Sequence, residues 1–308
     1  MKIAVLGCGG VGGYFGGRLA HAGVDTTFIA RGAMLDALRT RGLRVDSIAG
    51  DFTLDHVNAT DDAASVGPVD AVLVTVKAWQ IPEAAAQLAP LIGEDTAVVP
   101  LENGIDSPTV LANVVGREHV LGGLCAIVSF IVEPGHIRHI AYEPTVMFGE
   151  LDNARSARAD RLLEAFVRAG VKAEIPPDIH QAMWTKFLFI APMSGIGALT
   201  RVPIGQWRIV PGIRDIVTAS LEEVVALAAA HGVDLGSDAV ARIWATCDAM
   251  PPESTSSLQR DVLAGRPSEL EAQLGAIVRL GVERGVATPA TNFIYQSLVP
   301  QEMKARQA

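Results

Sequence analysis

The reading of this chain turns on its opening stretch, Lys2-Ile3-Ala4-Val5-Leu6-Gly7-Cys8-Gly9-Gly10-Val11-Gly12-Gly13-Tyr14-Phe15. A short apolar run ends in glycines, and small and apolar residues at helical spacing follow. The pattern predicts a strand over 2–7 and a helix over 11–22, with Gly7, Gly9 and Gly12 forming G-x-G-x-x-G between them. In that setting the glycines have separate duties. Gly7 permits the tight turn, Gly9 lets the backbone approach a pyrophosphate, and Gly12 lets helix and strand pack closely. Gly10 and Val11 open the helix, whose unpaired N–H groups and positive dipole end favour an anion. The bland alternative is a glycine-rich turn without a ligand, and strand, turn and helix in this order weigh against it.

Working outward, residues 25–30 return to a β-branched run and 32–41 look helical again. Residues 71–76 and 96–100 are continuous apolar runs, as expected of parallel strands covered by helices on both faces. Residues 122–149 are more β-like. Their turn signals, Glu133-Pro134-Gly135 and Glu143-Pro144, suit antiparallel hairpins added to the same sheet. A last helix over 157–169 and a strand over 172–175 precede Pro176-Pro177, which continue neither kind of element. Everything after reads as helix, most strongly at 213–231, 268–285 and 292–298. The expectation is an α/β protein with a Rossmann-type dinucleotide-binding domain over 1–176 and an all-helical domain over 177–308.

Composition sets limits on function. The 308 residues carry 25 Lys+Arg against 34 Asp+Glu, a formal net charge of −9, so a long polyanion would be repelled and nucleic acid is not an expected partner. Cys8, Cys125 and Cys247 lie far apart with no paired spacing, which fits a reducing compartment and neither a disulfide framework nor a zinc cluster. The apolar stretch over 187–199 is interrupted and too short to cross a bilayer, and the first residues do not have the form of a signal peptide. A cytoplasmic protein with no membrane partner is expected. His136, His139 and His180 have no metal-type arrangement, and no metal is expected. The apolar helices of the second half could pair two subunits or simply form that domain's core.

The second strand ends in Phe28-Ile29-Ala30-Arg31, with a cation where an NAD-binding unit normally has Asp or Glu for the ribose 2′-hydroxyl. Arg31 could pair with a 2′-phosphate and stack on adenine, so NADP(H) is expected over NAD(H); a solvated surface arginine is the alternative. Lys77 and Asn103 stand at the ends of the next two strands, where ligands bind in open α/β sheets. Lys77 offers a second charge for phosphate, and Asn103 offers donor and acceptor to a carboxamide, ribose or substrate. A solvated lysine and an ordinary Asn-Gly turn are the competing readings.

Taken with the later segments, the chain resembles the 2-dehydropantoate 2-reductase (ketopantoate reductase) family. The likeness runs through residues 1–12, Val76-Lys77-Ala78-Trp79-Gln80, Glu102-Asn103-Gly104, Met183-Trp184-Thr185-Lys186 and Gly265-Arg266-Pro267-Ser268-Glu269. The resemblance implies NADPH-dependent reduction of a small 2-keto acid to a 2-hydroxy acid, with 2-dehydropantoate, a pantothenate-biosynthesis intermediate, as the named candidate. It implies a site between the two domains. By position, Lys186 would be the catalytic lysine and Glu269 the acidic partner of the substrate hydroxyl. Asn103 would lie near nicotinamide and substrate, Ser257 would bind the substrate carboxylate, and Arg31 and Lys77 would hold the 2′-phosphate end.

The chemistry of these residue types agrees. Hydride delivery to a carbonyl carbon leaves charge on oxygen, which a nearby ammonium can stabilise and then protonate. Lys186 is the only Lys or Arg between Lys172 and Arg201, and it stands among apolar neighbours. A lysine here could equally snorkel from a buried helix, and Glu269 could be an ordinary first-turn carboxylate. The family's usual asparagines four and eight residues after the lysine are replaced by Ile190 and Ser194, and another falls at Ser254. Ser194 and Ser254 remain candidate substrate ligands with fewer donors, whereas Ile190 removes an amide. Their loss leaves open a different keto acid or carbonyl substrate. A non-catalytic NADPH-binding sensor is the alternative outside enzymology.

Overall fold

The computed structural model describes residues 1–307. The chain divides into two units, one of Met1–Glu102 with Ser107–Ile179 and the other of Asn103–Asp106 with the chain from His180 onward. The first unit holds ten strands: β1 (Lys2–Leu6), β2 (Asp25–Ile29), β3 (Leu43–Ser47), β4 (Phe52–Leu54), β5 (Asn58–Thr60), β6 (Ala71–Val74), β7 (Ala97–Pro100), β8 (Leu121–Glu133), β9 (His136–Glu150) and β10 (Lys172–Glu174). Its helices are α1 (Gly10–His21), α2 (Gly32–Arg41), α3 (Ile81–Ala84), α4 (Ser107–Val115) and α5 (Ala157–Arg168).

Five of the strands form a parallel sheet in the order β5-β2-β1-β6-β7. Every residue of β6 and β7 is buried, the burial expected of strands covered on both faces. Chain order reverses beside β1, which carries the glycine turn, and this is the edge where open α/β sheets bind ligands. Helix α1 packs through small residues: a side chain on Gly16 would run into Phe28 and Val5. The dinucleotide-binding half of the expected fold is therefore present.

The hairpin of β8 and β9 corrects the sequence expectation. It is antiparallel, with Pro134 and Gly135 at its turn, but it joins a second sheet with β3, β4 and β10 and does not extend the first. Glu143-Pro144 makes no turn either. Between the pairs Ala126↔Thr145 and Val128↔Ala141 the strand bulges, with Tyr142 at φ 64, and continues. A bulge accommodates the missing N–H of Pro144 without ending the strand.

The second unit is helical: α6 (Ile179–Thr200), whose first residue belongs to the first unit, α7 (Ile204–Trp207), α8 (Pro211–Ala230), α9 (Ala239–Ala249), α10 (Ser257–Leu263), α11 (Ala276–Arg284) and α12 (Pro289–Gln307). Pro192 lies inside α6 without interrupting it. At 22 residues α6 is long and apolar enough to cross a membrane, so length does not decide its role. Most of it is buried, with Trp184, Phe187, Leu188 and Ile196 in the core of its own unit, as in the core helix of a soluble protein. The expected helix over 268–285 is not uniform: Glu271–Gly275 is a π-helical turn ahead of α11.

Candidate functional site

In the first unit, β1 delivers the chain into a turn that only glycine can make. Gly7 sits at φ +98, and a Cβ there would lie 2.8 Å from Val76 Cγ1. A Cβ on Gly12 would collide with the Gly7 carbonyl and the Thr75 hydroxyl. Thr75 fixes the turn by donating to the carbonyls of Gly7 at 2.5 Å and Leu6 at 3.1 Å. Gly9 differs from both, because a Cβ there would meet nothing within 4 Å. It caps α1 without a side-chain hydrogen bond, so the first-turn N–H groups, including those of Gly10 and Val11, have no side-chain acceptor at the cap. The open face over Gly9 and these donors form a cradle suited to a diphosphate. Gly10 is backed by the β8 strand, since a Cβ there would lie 2.6 Å from the Ser129 carbonyl. Burial pushes the Cys8 thiol up to about 12, so this cysteine packs and does not react.

Two cations flank the turn from the neighbouring strands. Arg31 follows β2 at the start of α2, and Lys77 follows β6. Arg31 is exposed, and its Nη1 donates to Glu83 Oε1 of α3 at 2.8 Å. The Lys77 ammonium lies 5.7 Å from the centroid of the Trp79 ring, and its backbone N–H donates to Gln80 Oε1 at 3.1 Å.

The second unit gathers another group of the expected residues. Asn103 follows β7 in sequence, yet Asn103–Asp106 belongs to the helical unit. Ile105 packs on the helical core and Asp106 pairs with Arg279 of α11. Asn103 Nδ2 donates to Glu269 Oε2 at 3.4 Å, joining two residues 166 apart in sequence. Glu269 is buried and stands just before the helical turn, not inside it. Its neighbour Ser268 is anchored by buried Glu302 of α12, which accepts from the Ser268 backbone N–H at 3.1 Å and hydroxyl at 2.6 Å. Glu302 is itself paired with Arg306 at 2.8 Å.

Lys186 is half-buried on α6 between buried Trp184 and Phe187. Ile190, one turn on, packs partly buried on the helical core. Ser194 is fully buried, and its hydroxyl has no partner among the described residues; the amide of Gln273 in the π-helical turn shares both properties. Ser257 opens α10, but the N-cap is Ser256, whose hydroxyl accepts from the Gln259 N–H at 3.0 Å. Ser254 lies in the preceding turn, half-buried, with its carbonyl accepting from the Ile204 N–H. The structure thus joins Asn103 with Glu269, while no hydrogen bond links Ser194 to them among the described residues.

Sequence reasoning missed Thr75, Glu83 and Glu302. Thr75 had a readable signal, a lone hydroxyl inside the apolar run over 71–76. Glu83 and Glu302 had none, because their partners lie 52 and 34 residues away. Among the histidines, His136 pairs with Asp46 at 2.8 Å, and buried His139 meets Ser47 and two backbone carbonyls. All three cysteines are buried thiols outside any disulfide.

The sequence matches two family models, ketopantoate reductase PanE/ApbA over residues 3–153 and ketopantoate reductase PanE/ApbA C terminal over 178–302. It is similar to YkpB of Bacillus subtilis (strain 168), an uncharacterized oxidoreductase, at 31% identity over 300 residues, 97% of this chain and 98% of that protein. It is 30% identical over 302 residues to the 2-dehydropantoate 2-reductase of Nostoc sp. (strain PCC 7120), covering 96% of this chain and 94% of that protein. Among solved structures, 2-dehydropantoate 2-reductase from Geobacter metallireducens GS-15 aligns with a TM-score of 0.91 at 30% identity, over 97% of this chain and 99% of that one.

Proposed function

The chain belongs to the ketopantoate reductase family of oxidoreductases, and on that premise we propose that it reduces 2-dehydropantoate to pantoate with NADPH. Ketopantoate reductases use NADPH, which when bound supplies the hydride that goes to C2 of the keto acid. This chain's own residues do the rest. The glycine turn takes the diphosphate on the α1 N-terminus, and Arg31 and Lys77 take the 2′-phosphate. The Lys186 ammonium stabilises the charge that grows on the C2 oxygen and gives it a proton, so the product is the neutral hydroxyl. Glu269 accepts from the substrate's own hydroxyl, Asn103 orients that carboxylate and the reacting end, and Ser257 donates to the substrate carboxylate.

The observation that carries this reading is the Asn103–Glu269 hydrogen bond, within the unit that also supplies Lys186. Ile190 supports a second reading within the same chemistry, a keto acid with a more apolar body. An aliphatic side chain there cannot hydrogen-bond a substrate hydroxyl.

The test is steady-state turnover of purified protein with NADPH and a panel of 2-keto acids, beside coenzyme titration. Lys186→Ala is expected to lower kcat by about 10²–10⁴-fold while leaving the NADPH Kd within about twofold. Turnover kept within a few-fold would remove the lysine from the chemistry. Preference for another keto acid over 2-dehydropantoate would keep the mechanism and change the substrate.

A further inference from the structure

Strands β2 and β6 are the two neighbours of β1, so Arg31 and Lys77 stand on either side of the glycine turn. The segment after Lys77 does not stay on its own side. It passes through the short turn Ala78–Gln80 into α3 and places Glu83 against Arg31, 52 residues away, at 2.8 Å. An ion pair therefore ties the β6 side of the sheet's ligand-binding edge to the β2 side, with both partners open to solvent at 59% and 66% exposure. Surface pairs of this kind contribute little to folding, so the pair is free to exchange partners.

We propose that Glu83 is a coenzyme-specificity residue: its carboxylate occupies the guanidinium that a 2′-phosphate needs and must be displaced when NADP(H) binds. The inference rests on the reading of Arg31 given above. A phosphate monoester and a carboxylate cannot both sit close to one guanidinium without repelling each other, and only NADP(H) brings that phosphate. NAD(H) presents a hydroxyl there, which leaves the Arg31–Glu83 pair intact and can donate to the carboxylate. Glu83 thus opposes the phosphate that Arg31 attracts, and it narrows the margin between the two coenzymes.

The experiment is fluorescence titration of the full chain with NADPH and with NADH, for the wild type, Glu83→Gln and Arg31→Ala. At low ionic strength Glu83→Gln is expected to tighten NADPH by about three- to tenfold and to leave NADH within about twofold or slightly weaker. The gain is expected to fade towards 1 M salt, where screening acts over about 3 Å. Arg31→Ala is expected to weaken NADPH selectively. If it does so while Glu83→Gln leaves the NADPH Kd unchanged, or shifts both coenzymes by one factor, the inference is overturned alone. If Arg31→Ala spares NADPH, the reading of Arg31 is wrong and the inference falls with it.

Discussion

Gly9 and Gly12 lie three residues apart in one motif, yet the structure gives them opposite jobs. Gly12 is glycine because of the fold, since any Cβ there meets the Gly7 carbonyl and Thr75. Gly9 is glycine for no internal reason: it lies at φ −82, ψ −163, which alanine also adopts, and nothing stands within 4 Å of its missing Cβ. Gly9→Ala is therefore expected to leave the thermal midpoint unchanged within about 2 °C and to weaken coenzyme binding about tenfold or more, because the methyl fills the cradle. Gly12→Ala is expected to cost about 3 kcal/mol by overpacking and to lower the midpoint visibly. Thermal melts beside coenzyme titrations separate the two; a destabilised Gly9→Ala with unchanged affinity would refute the division. The motif was legible because its residues are consecutive. What the sequence hid at this scale were residues that act across long separations, such as Glu302 holding Ser268 and Glu83 holding Arg31. Neither carries a local pattern of its own.

At the scale of elements, β3 and β9 pair residues 92 apart in sequence, and their pairing is stitched by charge as well as by the backbone ladder. Asp46 of β3 lies opposite Arg138 of β9 and accepts from it at 3.2 Å, with His136 at 2.8 Å and Arg44 at 2.8 Å completing the cluster. The bond from Arg44, reinforced by His136 and Arg138, lowers the Asp46 carboxyl to about 2 from an ordinary 3.8. A lowered carboxyl pKa stabilises the folded state above the unfolded value and loses that contribution as pH falls through the folded one. Wild type and Asp46→Asn are thus expected to differ in urea midpoint at pH 6, and the gap is expected to close between about 4 and about 2. A gap that stays constant through that window would mean that the ionised carboxylate contributes nothing there. Four strands of the first sheet were readable because each is an apolar or β-branched run with a helical pattern near it, whereas β5, Asn58-Ala59-Thr60, carries no such signal. The second sheet was not. The three-residue β4 falls below any periodicity test and the bulge at Tyr142 makes one long strand read as two, whereas β10 was expected over 172–175.

For the whole molecule, a net charge of −9 opposes a polyphosphate coenzyme, so local cations and the α1 N-terminus must outweigh the overall field. Those groups all belong to the first unit, whose apolar residues form clusters separate from the helical core around Trp184, Phe187 and Leu221. Two separate cores can melt as two steps. Calorimetry of the free chain is expected to give a measured enthalpy above the van't Hoff value, the mark of more than one transition. A ligand that binds one unit stabilises that unit, by about 2.7 kcal/mol at a concentration of 100 Kd. For a unit of this size that is a shift of roughly 5–10 °C. With NADP+ present, one transition is expected to move by that amount and the other to stay in place, and Gly9→Ala is expected to abolish the movement without altering the free chain's profile. A single two-state transition, or two that move together with coenzyme, would mean that the units share their stability although their cores do not merge. The coenzyme's binding energy would then be spread over the helical unit, and substitutions in α6 would change NADP+ affinity as strongly as those around Gly9.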